Sequence, residues 1–231
     1  MFTDRINAGR VLAEHVARRL GDTARDPLVL ALPRGGAPVA VAVAKVLEGE
    51  LDVIVARKIG APGHPEFGVG ALAEDGAPVF DQRTLHRLRL TEADLADVVE
   101  RERDEVHDRI RRYRHGRELP DVAGRTVVVV DDGLATGSTA RAALRWLREH
   151  RARELVLAVP VCSPMGRKTV AKEADDVVCV RAPRSFRAVG QWYGDFEQLS
   201  DEDVTAALRT GQSTLDRTVH KGASRDQGTR T

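Results

Sequence analysis

With 231 residues, 42% of them hydrophobic and 31% charged, the chain has the length for one globular domain with a sizeable core and room for a small appended piece. Its 36 lysines and arginines nearly cancel its 35 aspartates and glutamates, so no global field marks a nucleic-acid or membrane partner, and any anion site must be local. The opening residues Met1-Phe2-Thr3-Asp4-Arg5-Ile6 lack a basic stretch followed by an apolar run, and no segment approaches the length of a membrane-spanning helix, which predicts a cytoplasmic address.

Thr3 or Asp4 can cap a first helix reaching about Leu20, because Ile6, Leu12, Val16 and Leu20 recur near helical spacing. Leu28-Val29-Leu30-Ala31-Leu32 reads as a strand buried on both faces; Pro33-Arg34-Gly35-Gly36 breaks it, and Ala37 to Leu47 follows as a small-residue helix. Leu51 to Lys58 is predicted as the next strand, ending in two cations, and these strand-helix-strand steps imply a parallel sheet. Gly60 to Gly70, rich in glycine and proline, is expected to form a long mobile loop, and Gly70 to Phe80 a hairpin turning at Asp75-Gly76. The run Gly68-Val69-Gly70-Ala71-Leu72-Ala73 imitates a dinucleotide fingerprint but lacks the strand before it and the helix after it, and is rejected as one.

Thr91-Glu92-Ala93-Asp94 has the form of a capping box opening a long helix, with Leu95, Val99, Val106, Ile110 and Tyr113 on one face. That stripe either packs on the chain's own core or builds a homodimer. On the other face Glu105 precedes Arg109, and Asp108 precedes Arg112, at helical spacing, so the arginines read as a solvated surface rather than an RNA-binding one. Thr126 to Asp131 is the most strongly apolar strand and is expected at the sheet centre, followed by a helix from Ser138 to about Glu149. Leu155 to Val159 and Asp176 to Val180, separated by a helical stretch from Pro164 to Ala174, complete an α/β doubly wound pattern. An aromatic segment through Phe186, Trp192, Tyr193 and Phe196 suggests a small hood, ahead of a short helix from Asp201 to Arg209 and a disordered polar tail from 211 to 231. Cys162 and Cys179 have neither metal-ligand spacing nor companion histidines and read as reduced residues beside core strands.

Chemistry concentrates after the central strand. A helix there points its positive N-terminus into the crevice at the carboxyl end of the sheet, where anions collect. Gly133 and Gly137 let the backbone approach a ligand, and Thr136, Ser138 and Thr139 add hydroxyl donors, so the turn suits a phosphate monoester. Asp131 and Asp132 just before it can accept hydrogen bonds from vicinal sugar hydroxyls.

The run Val128-Val129-Val130-Asp131-Asp132-Gly133-Leu134-Ala135-Thr136-Gly137-Ser138-Thr139 resembles the ribose-phosphate signature of type I phosphoribosyltransferases. It is not a Walker loop, which needs a lysine after its last glycine. The resemblance implies that Asp131 and Asp132 hold the ribose hydroxyls of 5-phosphoribosyl-1-pyrophosphate (PRPP), and that Ala135, Thr136, Gly137, Ser138 and Thr139 hold its 5-phosphate. Pro33-Arg34-Gly35-Gly36 resembles the pyrophosphate loop of the class, which its members often hold with a non-proline cis peptide. One of Arg57 and Lys58, by similarity Lys58, would face the same pyrophosphate, since alternation along a strand keeps both from pointing one way. By resemblance, then, Arg34, Gly35, Gly36, Arg57 and Lys58 form the leaving-group site, with Arg34 and Lys58 as its catalytic cations. Gly60 to Gly70 takes the place of the catalytic flexible loop, to which His64 and Glu66 are candidate contributors.

The implied fold is the type I phosphoribosyltransferase fold over residues 1–210: an α/β domain with a central, mainly parallel sheet flanked by helices, an inserted helical segment at about 82–117 and a C-terminal hood at about 181–200. Phe186 to Phe196 resembles the base-binding hood of hypoxanthine-type enzymes at a spacing one residue longer, which makes Val189, Trp192 and Tyr193 acceptor-binding candidates and Asp195 a candidate metal contact. Ala135, however, stands where hypoxanthine-type enzymes carry an aspartate and resembles the adenine and uracil enzymes instead, so the acceptor stays open. The expected reaction transfers phosphoribose from PRPP to a nitrogenous base or related acceptor, with Mg²⁺ bound mostly through substrate oxygens. A regulatory protein that senses PRPP without chemistry, and a hydrolase or phosphorylase of a phosphoribosyl compound, are the competing expectations.

Overall fold

A computed structural model describes residues 1–21 and 26–211. Helix α1 (Arg5–Leu20) starts where expected: Asp4 is extended, and its carboxylate accepts the Asn7 N–H at 2.7 Å. Strand β1 (Leu28–Ala31), helix α2 (Gly36–Leu47) and strand β2 (Glu50–Val53) follow, then β6 (Thr126–Val130), α5 (Ser138–Glu149), β7 (Glu154–Val161), α6 (Pro164–Val170) and β8 (Asp176–Arg181) after an intervening segment. The strands form a five-stranded parallel sheet in the order β2-β1-β6-β7-β8, with β6 at its centre as its apolar run predicts. Alternate residues feed two cores. Leu28, Leu30, Val127, Val129, Leu155 and Leu157 pack with Leu144 and Leu147 of α5, while Val29, Ala31, Val128, Val130, Val156 and Ala158 pack with α1 and α2.

The intervening segment differs from the expectation in two places. The strand predicted from Leu51 to Lys58 breaks after Val53. The Val55 N–H is taken by Glu74 Oε1 at 2.8 Å and the Val55 carbonyl by the Glu74 N–H at 2.9 Å, which draws the chain out of the parallel sheet. It enters a second, antiparallel sheet of β3 (Ala56–Ala61), β4 (His64–Ala73) and β5 (Val79–Phe80). Gly60 to Gly70 is therefore not a long loop but most of a hairpin turning at Pro62-Gly63, with Gly63 at φ +74°. Its glycines serve close strand contact: a Cβ on Gly60 would lie 2.6 Å from the Pro65 backbone, and one on Gly70 2.7 Å from the Val79 carbonyl. The turn at Asp75-Gly76 is as expected, with the Gly76 N–H on the Ala73 carbonyl.

Helix α3 (Gln82–Leu88) and a 3₁₀ turn (Ala93–Leu95) lead into α4 (Ala96–Arg114). The capping pair is formed: Thr91 donates both its N–H and its hydroxyl to the Asp94 carboxylate at 2.7 Å. Leu95, Val106 and Tyr113 are buried, and Val99 and Ile110 pack beside them, so the stripe packs on the chain's own core. Of the two ion pairs expected on the other face, Glu105–Arg109 forms at 3.5 Å. Arg112 instead reaches Asp201, and Asp108 takes Arg111. Helix α6 stops at Val170, short of the expected Ala174. A final helix α7 occupies 201–211, reaching the first residue of the expected tail; the remainder of that tail, 212–231, lies outside the described residues. Both cysteines are free thiols, Cys162 buried and Cys179 partly exposed, with the Cys179 thiol donating to the Arg181 carbonyl at 3.0 Å. Among the described residues no helix is long and apolar enough to cross a membrane.

Candidate active site

Loops leaving the carboxyl ends of β1 and β6 meet in a single cradle. After β1 the Pro33–Arg34 peptide is cis. Gly35 then lies so close to Asp132 that a Cβ would stand 2.0 Å from the carboxylate Oδ2, and a Cβ on Gly36 would stand 2.4 Å from the Val130 carbonyl. Only glycines permit this approach, and it places the two segments singled out in the sequence in direct contact.

Asp131 and Asp132 form the floor. The Asp132 N–H bonds Asp131 Oδ1 at 2.8 Å, and Arg5 Nε donates to Asp132 Oδ2 at 2.8 Å. Burial drives the Asp131 carboxyl well above the usual range, reinforced by the neighbouring Asp132 charge and opposed by the Asp132 N–H, Arg5 and Lys58. Burial likewise raises Asp132, with Arg5 the main opposing partner. The cations around the pair are therefore what favours its ionised form.

The candidate phosphate loop runs from Gly133 to α5. Leu134 bridges to the end of β7, its N–H on the Val161 carbonyl at 2.9 Å and its carbonyl on the Ser163 N–H at 2.8 Å. The Ser163 hydroxyl donates to the Ala135 carbonyl. Gly137 caps α5 at φ +77°, the left-handed region, and Thr136, Ser138 and Thr139 surround the first-turn amides of the helix, which lack intrahelical partners. Thr136 and Ser138 hydroxyls lie 3.3 Å apart.

Next to this loop, a cleft of about 690 Å³ opens between the β3–β4 hairpin and α4, lined by Pro33, Arg57, Lys58, Arg101, Arg109 and Thr139 among others. Arg57 is tied to Glu102 at 2.7 Å, whereas Lys58 is exposed and close enough to Asp131 to oppose the rise of its pKa. Of the two cations lining the cleft, Arg57 is the one held by an ion pair to Glu102. His64 stacks edge-on with Phe67 in the hairpin tip, at 5.8 Å between ring centroids; the Glu66 side chain lies outside what is described. Arg34 leans toward Asp201 at the start of α7, 3.8 Å away, where Tyr113 also donates its hydroxyl at 2.5 Å.

The hood corrects one acceptor assignment. Tyr193 is 5% exposed, its ring packs against Phe2 and Phe196, and its hydroxyl donates to the Asp132 carbonyl at 2.5 Å. It braces the acid pair, and its buried ring leaves no open face for a planar base. Val189 packs on Gly133, where a Cβ would come within 2.5 Å of it, so it sits next to the phosphate loop. Trp192 is partly exposed in the Val189–Trp192 turn. The Asp195 side chain is exposed, its carboxylate taking the Glu197 N–H at 3.2 Å and its own N–H bonding the Thr3 carbonyl; among the described residues no cluster of three or more His, Cys, Asp or Glu could hold a metal. Arg5, Asp201, Ser163 and the α4 arginines were not legible as site residues, because each arrives by a contact distant in sequence and none belongs to a local motif.

Residues 3–191 match the family described as phosphoribosyl transferase domain. A Mycobacterium tuberculosis H37Rv protein named "putative phosphoribosyl transferase" is 44% identical over 208 residues, 90% of this chain but 46% of the relative, so the chain spans about half the length of the curated relatives it matches. A crystal structure of TT1426 from Thermus thermophilus superposes with a TM-score of 0.76 at 44% identity, covering 90% of this chain and 97% of that one. A uracil phosphoribosyltransferase of Finegoldia magna is 41% identical over 61 residues, 26% of this chain and 29% of its own. With the matched model spanning the sheet, the cradle and the first part of the hood, the chain belongs to the phosphoribosyl transferase domain family, on the type I fold.

Proposed function

We propose that the chain transfers the 5-phosphoribosyl group from PRPP to a nitrogenous base or related acceptor, releasing pyrophosphate. The observation that carries this reading is the contact of Gly35 with Asp132, which joins the pyrophosphate loop, the ribose acids and the phosphate loop into one cradle. The α5 amides and the hydroxyls of Thr136, Ser138 and Thr139 receive the 5-phosphate at the positive end of the helix. Asp131 and Asp132 accept from the ribose hydroxyls and thereby orient C1. Arg34 and Lys58 face the leaving pyrophosphate, where charge builds as the C1–O bond breaks and C1 takes on oxocarbenium character; the acceptor nitrogen attacks from the opposite side.

Two adjacent carboxylates beside a cationic cleft, without a ligand cage among the described residues, fit a magnesium ion carried by the substrate's own pyrophosphate and ribose oxygens. Such an ion would supply further neutralisation of the leaving group. Ala135 leaves the phosphate loop without the acid of the hypoxanthine type, which supports an adenine- or uracil-like acceptor or one outside the common bases.

The test is incubation with PRPP, magnesium and a panel of purines, pyrimidines and amines, with pyrophosphate release as the readout. Acceptor-dependent release is the expected result. Tight binding of PRPP with no turnover on any acceptor would overturn transfer in favour of a sensing role, and turnover without pyrophosphate release would favour a hydrolase or phosphorylase.

A further inference from the structure

We infer that Arg5 is a positioning residue for the ribose acids: it fixes the Asp132 carboxylate and ties it to the hood, so that donor binding depends on a side chain from the first turn of α1. The inference rests on the function proposed above, in which Asp132 accepts from the ribose.

Arg5 lies 127 residues from Asp132 in sequence, yet its guanidinium touches the cradle and the hood side by side. Nε donates to Asp132 Oδ2 at 2.8 Å, Nη1 donates to the Glu197 carbonyl at 2.9 Å, and the plane rests 3.9 Å from the centre of the Phe196 ring. Both partners of the ion pair are largely buried, with side-chain exposures of 11% and 12%. A charge-assisted bond in such surroundings is directional and poorly replaced by water. The carboxylate meets both Arg5 and the closely approaching Gly35, so that its Oδ2 is committed and its position is fixed from within the fold.

The chain around Arg5 is held just as firmly. Phe2 donates its N–H to the Trp192 carbonyl at 2.8 Å and accepts from the Gly194 N–H at 2.8 Å, and the Thr3 carbonyl accepts from the Asp195 N–H at 2.8 Å. Residues 2–3 thus zip onto the hood, which delivers Arg5 to Asp132 while Tyr193 holds the Asp132 carbonyl from the same side. Hood and ribose acid therefore share one guanidinium, and an acceptor seated by the hood would be registered against the sugar through it. Arg5 touches no reacting atom in this arrangement; it acts through Asp132.

A purely structural staple would predict equal damage to every ligand, and positioning predicts selective damage. The experiment measures, by calorimetry in magnesium, binding of ribose 5-phosphate, which depends on Asp132, and of inorganic pyrophosphate, which depends on Arg34 and Lys58. The full chain is compared with Arg5→Gln and Arg5→Lys. Arg5→Gln is expected to weaken ribose 5-phosphate by roughly tenfold or more, the scale of one charge-assisted hydrogen bond, with pyrophosphate binding unchanged. Arg5→Lys should recover part of that loss. Should Arg5→Gln fail to fold, Phe196→Leu removes the ring behind the guanidinium without touching Asp132 and is expected to give a smaller loss of the same selectivity. Unchanged ribose 5-phosphate binding in the folded variants, or an equal loss of both ligands, overturns the inference alone. Failure of the unmutated chain to bind either ligand overturns the proposed function and the inference with it.

Discussion

The parallel sheet presents its proposed ligand groups on loops that leave the ends of fully buried strands, whereas the antiparallel sheet presents Lys58 from within a strand and walls the cleft with a hairpin. In the first, backbone does the work: the free amides lie at the α5 terminus, glycines at 35, 36 and 137 let the loops pack against neighbouring protein atoms, and neighbouring strands leave those loops little freedom. In the second, a side chain does it, and its direction is set by strand alternation and by Glu102 holding Arg57. Under the proposed function, a phosphate cup would draw on geometry that a backbone supplies, and a departing leaving group on a single flexible cation.

The two sheets are clamped by buried charge, and breaking that clamp gives the largest expected effect. Arg114, at the end of α4, donates to both oxygens of Glu74 at 2.8 and 2.9 Å and to the Val53 carbonyl at 2.8 Å, and its Nε lies 3.7 Å from Asp52. Asp52, Glu74 and Arg114 are each under 5% exposed, and burial raises the Asp52 carboxyl against the pull of its Val53 N–H and Arg114. Arg114→Leu leaves two buried acids uncompensated and is expected to cost about 3–5 kcal/mol. Thermal unfolding should then fall by roughly ten degrees. An unchanged Tm would mean that the sheets are held together by apolar packing alone.

Lys58 tests the comparison at the level of chemistry. Lys58→Ala is expected to lower turnover by about a hundredfold or more, the usual cost of one preorganised charge donor. Arg57→Ala removes a half-exposed partner of Glu102 and should cost far less. Steady-state kinetics on the two variants checks the assignment, and equal losses would mean that the hairpin contributes a diffuse field and not one aimed cation.

The contrast also explains what could be read before the fold was known. Helix α5 begins and ends where its sequence says, since Gly137 supplies the left-handed turn, Ser138 opens the helix, and the preceding valines are buried on both faces of the sheet. All of that information is local. Residues 60–70 misled because glycine and proline commonly mark loops, while here the missing side chains let β3, β4 and β5 approach one another. Tyr193 misled for a different reason: an aromatic in a hood suits a base, and nothing near it in sequence announces that Phe2 and Asp132 take its ring and its hydroxyl. The partners of the legible motifs were the least legible part. Arg5 for Asp132, Asp201 for Arg34 and Glu102 for Arg57 are all brought in by tertiary structure, at separations that no spacing rule spans.

Asp201 gives the smallest expected effect, and pH separates it from the rest. It joins the two regions from a third side, since α7 bears it, α4 of the antiparallel side contributes Tyr113 and Arg112, and Arg34 comes from the loop after β1. Burial pushes the Asp201 carboxyl up, but the Tyr113 and Arg112 hydrogen bonds and the charges of Arg112 and Arg109 outweigh it and leave the pKa below its ordinary value. A carboxylate depressed on folding adds stability that is fully present above its unfolded pKa of about 3.9 and is lost as pH falls through the folded value. Asp201→Asn should therefore be less stable than the unmutated chain near neutrality, by about 1 kcal/mol because Asp201 keeps some contact with solvent. That difference should shrink toward zero in acid, where both side chains are uncharged. Paired unfolding curves from neutral pH into the acid range check it. A deficit independent of pH would mean that Asp201 holds α7 through shape and hydrogen bonding, and that its charge does not matter to the joint between the two sheets.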